Sequence, residues 1–311
     1  MKISESVLDA IGNTSLVQLK KVVPDDHARV LVKLEWENPT GSMKDRMAKS
    51  MIEEAENDGR LSAGGTVVEY SGGSTGTSLA LICAIKGYRF QVVSSDAFSQ
   101  DKLNHMKALG AELTVVPSRG LGITRELIEE MVETAQKLSD LPNTYWTDQL
   151  NNKDNVSGYF QLGEEIWDQT SGQVDAFVHV AGTAGSIIGT SRMLKEHNPQ
   201  VRIVAVEPHE SPVLSGGESG SHDIEGIGIG FFPPLWDSSL VDEVVPIPTE
   251  EAKKMARWLS KEEGLCAGTS SGANVAAAIK VAKELGPGAT VVTLLVDSGL
   301  KYLSTDLYKS S

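Results

Sequence analysis

The chain has 311 residues, 28 of them Lys or Arg against 42 Asp or Glu, which leaves a formal net charge of −14. Such a balance argues against a surface that holds a nucleic-acid backbone, since phosphate binding needs clustered cations. No apolar run nears the roughly 18 residues of a membrane span, and Met1, Lys2, Ile3, Ser4 and Glu5 form no signal-peptide core, so a soluble cytoplasmic protein is expected, without membrane or nucleic-acid partners.

A length beyond the roughly 250–300 residues at which one core stops growing calls for two lobes. Cys83 and Cys266 lie far apart and outside any paired spacing, so they read as small buried apolar residues rather than a disulfide or a zinc knuckle.

In chain order, an apolar strand over 30–32 leads into Asn38-Pro39-Thr40-Gly41-Ser42-Met43-Lys44-Asp45-Arg46, where a Pro/Gly turn delivers Lys44 to the mouth of a helix. Taken alone, such a lysine is more often a plain surface cation. At a helix start and partly desolvated, however, an amine loses some preference for the ammonium form and can condense with an aldehyde. Strands over 66–69, 90–93 and 113–116 alternate with helices over 77–86, 99–109 and 124–137, the signature of a parallel sheet wrapped by helices. The polar and aromatic stretch 143–155 reads as a crossing between lobes. The alternation resumes with a strand over 175–180, a helix over 187–196 and a strand over 202–206. It closes with an all-apolar strand over 290–296, as expected where both sheet faces are covered.

Two glycine-rich turns follow strands and precede helices: Ser71-Gly72-Gly73-Ser74-Thr75-Gly76 and Gly182-Thr183-Ala184-Gly185-Ser186. Each can present helix N–H groups to an anion, and each is equally a tight connection without ligand. Neither carries the dinucleotide fingerprint, although Asp96 lies at a suitable distance for one. Val296-Asp297-Ser298-Gly299 ends the last strand, where open α/β sheets bind ligands. Ser298 there is either a ring-nitrogen contact or a backbone cap, and strand alternation sends Asp297 to the other side. The six histidines show no metal-ligand spacing, and His179, inside an apolar run, reads as a satisfied core residue. Ser270-Ser271-Gly272 lacks the nucleophile-elbow pattern and reads as a turn.

Together these stretches resemble the pyridoxal-phosphate enzymes of the β family, most closely the cysteine synthase (O-acetylserine sulfhydrylase) and cystathionine β-synthase group. The likeness runs over nearly the whole chain. It includes Ile11-Gly12-Asn13-Thr14-Ser15-Leu16-Val17, Glu207-Pro208, Ser211-Pro212-Val213, Gly226-Ile227-Gly228-Ile229-Gly230-Phe231 and Tyr302-Leu303-Ser304-Thr305 besides the turns above. The resemblance implies two doubly wound α/β domains with pyridoxal 5'-phosphate in the cleft between them. The larger, cofactor-binding domain takes 1–41 and 149–311, and the smaller, mobile, substrate-carboxylate domain takes 42–148.

By the same resemblance Lys44 forms the Schiff base and acts as general base, while Gly182, Thr183, Ala184, Gly185 and Ser186 hold the phosphate. Ser298 meets the pyridine nitrogen, and Ser74 stands where relatives usually carry an asparagine at the ring hydroxyl. Ser71, Gly72, Gly73, Ser74 and Thr75, with Gln149, bind the substrate carboxylate; Gly226, Ile227 and Gly228 line the opposite wall. Ala184 replaces a usual glycine, tolerable at negative φ and awkward at positive φ, and Gly72 replaces a hydroxyl residue.

The implied reaction is β-replacement on O-acetyl-L-serine or a similar activated serine by sulfide, through an aminoacrylate, to give L-cysteine in a homodimeric enzyme. Three alternatives stay open. They are replacement by another nucleophile, giving cystathionine or diaminopropionate; elimination by a serine or threonine dehydratase; and a partner-binding homologue without catalysis.

Overall fold

The β-branched runs of the sequence become strands in the computed structural model, which describes residues 3–120 and 124–309; the expected domain limits at 1 and 311 lie outside these. The strands are β1 (Leu16–Gln18), β2 (Arg29–Leu34), β3 (Thr66–Tyr70), β4 (Arg89–Ser95), β5 (Glu112–Val116), β6 (Thr144–Trp146), β7 (Ala176–Val180), β8 (Arg202–Pro208), β9 (Glu243–Ile247) and β10 (Thr290–Leu295). The helices are α1 (Lys44–Asn57), α2 (Ser74–Lys86), α3 (Gln100–Ala108), α4 (Arg125–Ser139), α5 (Asp154–Ser157), α6 (Phe160–Gln169), α7 (Gly185–His197), α8 (Thr249–Trp258) and α9 (Thr269–Leu285). The chain divides into two units, Met1–Ile11 with Lys44–Gly158, and Gly12–Met43 with Tyr159–Ser311.

The first unit holds a parallel sheet in the order β5-β4-β3-β6. Val67, Val68 and Glu69 of β3 are fully buried, as a strand covered on both faces requires. Ser99 caps α3 by accepting the N–H of Lys102, and Thr124 caps α4 by accepting that of Leu127. Leu127, Met131 and Ala135 recur at four-residue spacing and seat α4 on Val68, Tyr70 and Val93. Burial of each large apolar side chain contributes about 1.5–3 kcal/mol.

The stretch expected to cross between lobes supplies β6, which pairs with β3 through Thr66 and Thr144, and Val68 and Trp146. Three residues are too few to show alternation, so the strand is defined by its partner rather than by its own pattern.

The second unit holds six strands in the order β1-β2-β10-β7-β8-β9, parallel except for the antiparallel pair β1 and β2. Strands β7 and β10 are buried along their whole length. Ser270-Ser271-Gly272, expected as a turn, forms the first turn of α9. Small polar residues suit the start of a helix, where they compete least with its backbone. Ser271 Oγ also accepts the N–H of Val296 at 2.8 Å, which ties this helix start to the end of β10.

A buried polar layer explains the 11–17 motif. The Lys33 ammonium, fully buried, pairs with Glu165 at 2.6 Å and donates to Thr14 O at 2.6 Å. Thr14 Oγ1 donates to Glu35 at 2.7 Å, and the Asn38 amide donates to Glu35 while accepting the N–H of Gly12. A charge this deep is tolerable because it is paired and hydrogen-bonded.

Candidate active site

In the first unit, Lys44 is the first residue of α1 and is half-buried. The inward face of that helix, Met47, Ala48, Met51, Ile52 and Ala55, is fully buried and fixes its start. The side chain thus leaves the chain at the N-terminal end of α1, where the first N–H groups of the helix also lie.

The 71–75 turn leaves the carboxyl end of β3. Ser71 N–H donates to Val93 O at 2.9 Å, and Ser71 Oγ accepts the N–H groups of Gly73 at 3.2 Å and Gly76 at 3.0 Å. The hydroxyl therefore shapes the turn that opens α2 at Ser74. Thr75 Oγ1 donates to Gln149 Oε1 at 2.8 Å, and Gln149 Nε2 donates to Tyr70 O at 3.2 Å. Two expected carboxylate contacts far apart in the chain thus meet.

Gly72, where the resemblance leads one to expect a hydroxyl residue, has a spatial cause. A Cβ there would stand 2.1 Å from Cε1 of Phe98, so the ring occupies the room of a side chain. Behind the turn lies Glu69, whose carboxyl burial pushes up to about 7 against the opposing hydrogen bonds from Thr147, Gln149 and Tyr70, with Asp148 adding repulsion. Sequence reading missed both Phe98 and Glu69. The signal for Glu69 was a lone acid at the end of an otherwise apolar parallel strand.

In the second unit, the 182–186 turn leaves the carboxyl end of β7 and opens α7 at Gly185. A Cβ at Gly182 would lie 2.4 Å from Gly226 O, so glycine is what lets these two turns approach. Ala184 adopts φ 67° and ψ −16°, the left-handed conformation in which alanine is strained and glycine is not. The first N–H groups of a helix have no intrahelical acceptor, and the dipole adds positive potential at the same place.

Ser186 Oγ lies 2.9 Å from His179 Nε2, and Asn274 Nδ2 reaches His179 Nδ1 at 3.2 Å. The Asn274 donor makes Nδ1 the acceptor, so Nε2–H donates to Ser186 and leaves the serine its own proton to give. Asn274 is itself pinned, donating to Leu294 O and accepting the N–H of Val180. His179 is thus a satisfied core residue that also orients a turn hydroxyl. The sequence signal was a histidine three residues before the glycine turn.

Gly226 (φ 85°) and Gly228 (φ 61°) flank the buried Ile227, and the His222 ring contacts Gly228 O at 3.0 Å. A cavity in this unit is lined by Ala181, Gly182, Glu207, Gly228 and Phe231 among others. Ser298 Oγ caps the short helix Gly299–Tyr302 by accepting the N–H of Leu300 at 3.3 Å, while Asp297 is turned to the Tyr302 hydroxyl at 2.8 Å. Ser42 bridges Asp297, Met43 N–H donates to Val296 O at 3.0 Å, and Ser298 N–H donates to Gly41 O at 3.1 Å. The peptide immediately before Lys44 is therefore pinned to the segment that carries Ser298.

Amides at a helix start, a serine hydroxyl oriented by a buried imidazole, and glycines that clear the approach form a donor set that fits a phosphorylated cofactor. Among the described residues no cluster of His, Cys, Asp and Glu is arranged to hold a metal ion. No described helix is long and apolar enough to cross a membrane.

The pattern of the family described as pyridoxal-phosphate dependent enzyme matches residues 7–297. A cysteine synthase of Staphylococcus aureus (strain N315) is 42% identical over 306 residues, 98% of this chain and 97% of that one. Among solved structures, the cysteine synthase of Entamoeba histolytica superposes with a TM-score of 0.93 at 38% identity, covering 100% of this chain and 92% of its own. The O-acetylserine-dependent cystathionine β-synthase of Helicobacter pylori gives 0.92 at 34% identity, covering 99% and 100%.

Proposed function

The chain belongs to the pyridoxal-phosphate dependent enzymes, and on that footing we propose that it is a cysteine synthase, making L-cysteine from O-acetyl-L-serine and sulfide. The observation that carries the reading is Lys44 as the first residue of α1, half-buried, directly after a peptide pinned to the segment of Ser298. The higher identity to cysteine synthases than to the cystathionine β-synthase supports sulfide over homocysteine as the nucleophile.

When bound, pyridoxal 5'-phosphate supplies an aldehyde for amines and a conjugated ring that accepts electrons. Lys44 carries it through Nζ. The amides of Gly182, Thr183, Ala184, Gly185 and Ser186, with the Ser186 hydroxyl, hold its phosphate without a basic side chain, so the acidity of the chain is no obstacle. Ser298 offers its hydroxyl proton to the ring nitrogen, and Ser74 faces the ring hydroxyl. Ser71, Gly72, Gly73, Ser74 and Thr75 bind the substrate carboxylate in the smaller, mobile domain, with Gln149 as a further contact. Gly226, Ile227 and Gly228 line the substrate's other side. Once substrate has displaced it, the Lys44 amine takes the proton from the substrate Cα, the bond from Cβ to the acetyl oxygen breaks and acetate leaves, and Lys44 returns the proton to Cα after hydrosulfide has added at Cβ.

The family likeness also supports a homodimer working in the cytoplasm. Product analysis tests the reaction: O-acetylserine with sulfide should give cysteine at a kcat/KM at least about tenfold above that for serine with homocysteine, a specificity margin of ordinary size for one pocket. Cystathionine as the faster product would contradict it.

A further inference from the structure

Behind the carboxylate turn lies a hydrogen-bond chain that no role above uses. Glu69 Oε1 accepts the N–H of Tyr70 at 2.9 Å, and Oε2 accepts the hydroxyl of Thr147 at 2.7 Å and the N–H of Gln149 at 3.0 Å. Both oxygens thus face donors only, and the side chain is fully buried at the end of β3. Between the two residues that Oε2 holds stands Asp148, with φ 45°, a left-handed conformation that is uncommon for an L-residue, although Asp tolerates it better than most. Gln149 leaves this turn with its carboxamide on Thr75 and Tyr70, and its own carbonyl accepts from Asn155 at 2.7 Å.

We propose that Glu69 is the positioning residue of the substrate-carboxylate site: by clamping Thr147 and Gln149 it imposes the left-handed turn at Asp148 that aims the Gln149 carboxamide at Thr75. It touches no substrate and acts through Gln149. A Gln149 released from this clamp keeps its side chain but loses its direction, so substrate binding weakens while the proton chemistry at Lys44 continues. The inference rests on the reading of Ser71 to Thr75 and Gln149 as the carboxylate site.

The test compares KM and kcat for O-acetylserine with sulfide in the cofactor-loaded wild type, Glu69→Met, Glu69→Gln, Gln149→Ala and the Glu69→Met/Gln149→Ala pair. Methionine keeps the length of glutamate and removes both acceptors, which should raise KM roughly tenfold with kcat changed less than about threefold, the size of one or two lost hydrogen bonds to a charged group. Glutamine can still turn its carbonyl oxygen to Thr147 and Gln149, so Glu69→Gln should recover to within about threefold of wild type. In the Gln149→Ala chain, Glu69→Met should add less than about a further twofold, because a residue acting through Gln149 has nothing left to aim.

An unchanged KM in Glu69→Met, a loss confined to kcat, or effects that multiply in the pair would overturn the proposal. Should Glu69→Met fail to fold, Thr147→Val removes one of the clamped donors, and the same rise in KM alone is then required. A wild type that turns over no O-acetylserine with sulfide overturns the functional reading, and the inference with it. A wild type that does, beside unaffected variants, overturns the inference alone.

Discussion

At the scale of single residues, the site holds groups in states they would not adopt in water. Glu69 is the clearest. Its folded-state pKa is raised from 4.5 to about 7, so between those values the native state keeps a proton that the unfolded chain has released. The stability associated with that proton is fully present below about pH 4.5 and is lost as pH rises through about 7. Glu69→Gln removes the titration, so the unfolding free energy of wild type minus variant should fall by about 3 kcal/mol from pH 4.5 to 7.5 and stay level above it. Denaturant titrations of both chains across that range check this, and a difference independent of pH would contradict it.

Ala184 is the second case. The sequence posed a choice between negative and positive φ, and the structure has the positive one, at a cost on the order of 1 kcal/mol relative to glycine. The sequence displayed the substitution but not the dihedral, because a backbone angle is set by how α7 leaves β7.

At the scale of elements, the strands with strong apolar runs were legible, and the segments defined by a partner were not. Strand β6 exists because β3 offers it an edge, and the 270–272 run joins α9 because Ser271 reaches the end of β10. The departure at Gly72 has the same character: its explanation, Phe98, lies in the link between β4 and α3, packed against the cluster of Val68, Tyr70 and Val93. Turn and link are therefore expected to be energetically coupled. Gly72→Ser forces the Phe98 ring aside, and Phe98→Ala clears the space, so the double variant should be more stable than the sum of the single losses by about 1–2 kcal/mol. Thermal or denaturant unfolding of the four chains measures this coupling, and strict additivity would show that the ring does not hold the turn's shape.

At the scale of the whole chain, alternating strands and helices announced parallel sheets, whereas the strand order was hidden. Strand β10 lies between β2 and β7, a pairing that joins opposite ends of the sequence and leaves no local trace. What the order achieves is visible in the turns: 71–75 after β3, 182–186 after β7, and Asp297-Ser298-Gly299 just past β10 all leave the carboxyl ends of parallel strands, where open α/β sheets collect their ligands. The motifs were legible because their chemistry needs glycine and hydroxyl residues at fixed places. The supports, Glu69, the His179–Asn274 pair and Phe98, were not, because they reach the turns only through the fold.

Borohydride reduction of the cofactor-loaded protein, followed by peptide mapping, decides whether Lys44 carries the cofactor. Reduction should leave one pyridoxyl group per chain, on Nζ of Lys44, and none in Lys44→Ala. A label on another lysine, or a wild-type chain that takes up none from a cofactor-replete solution, would contradict it.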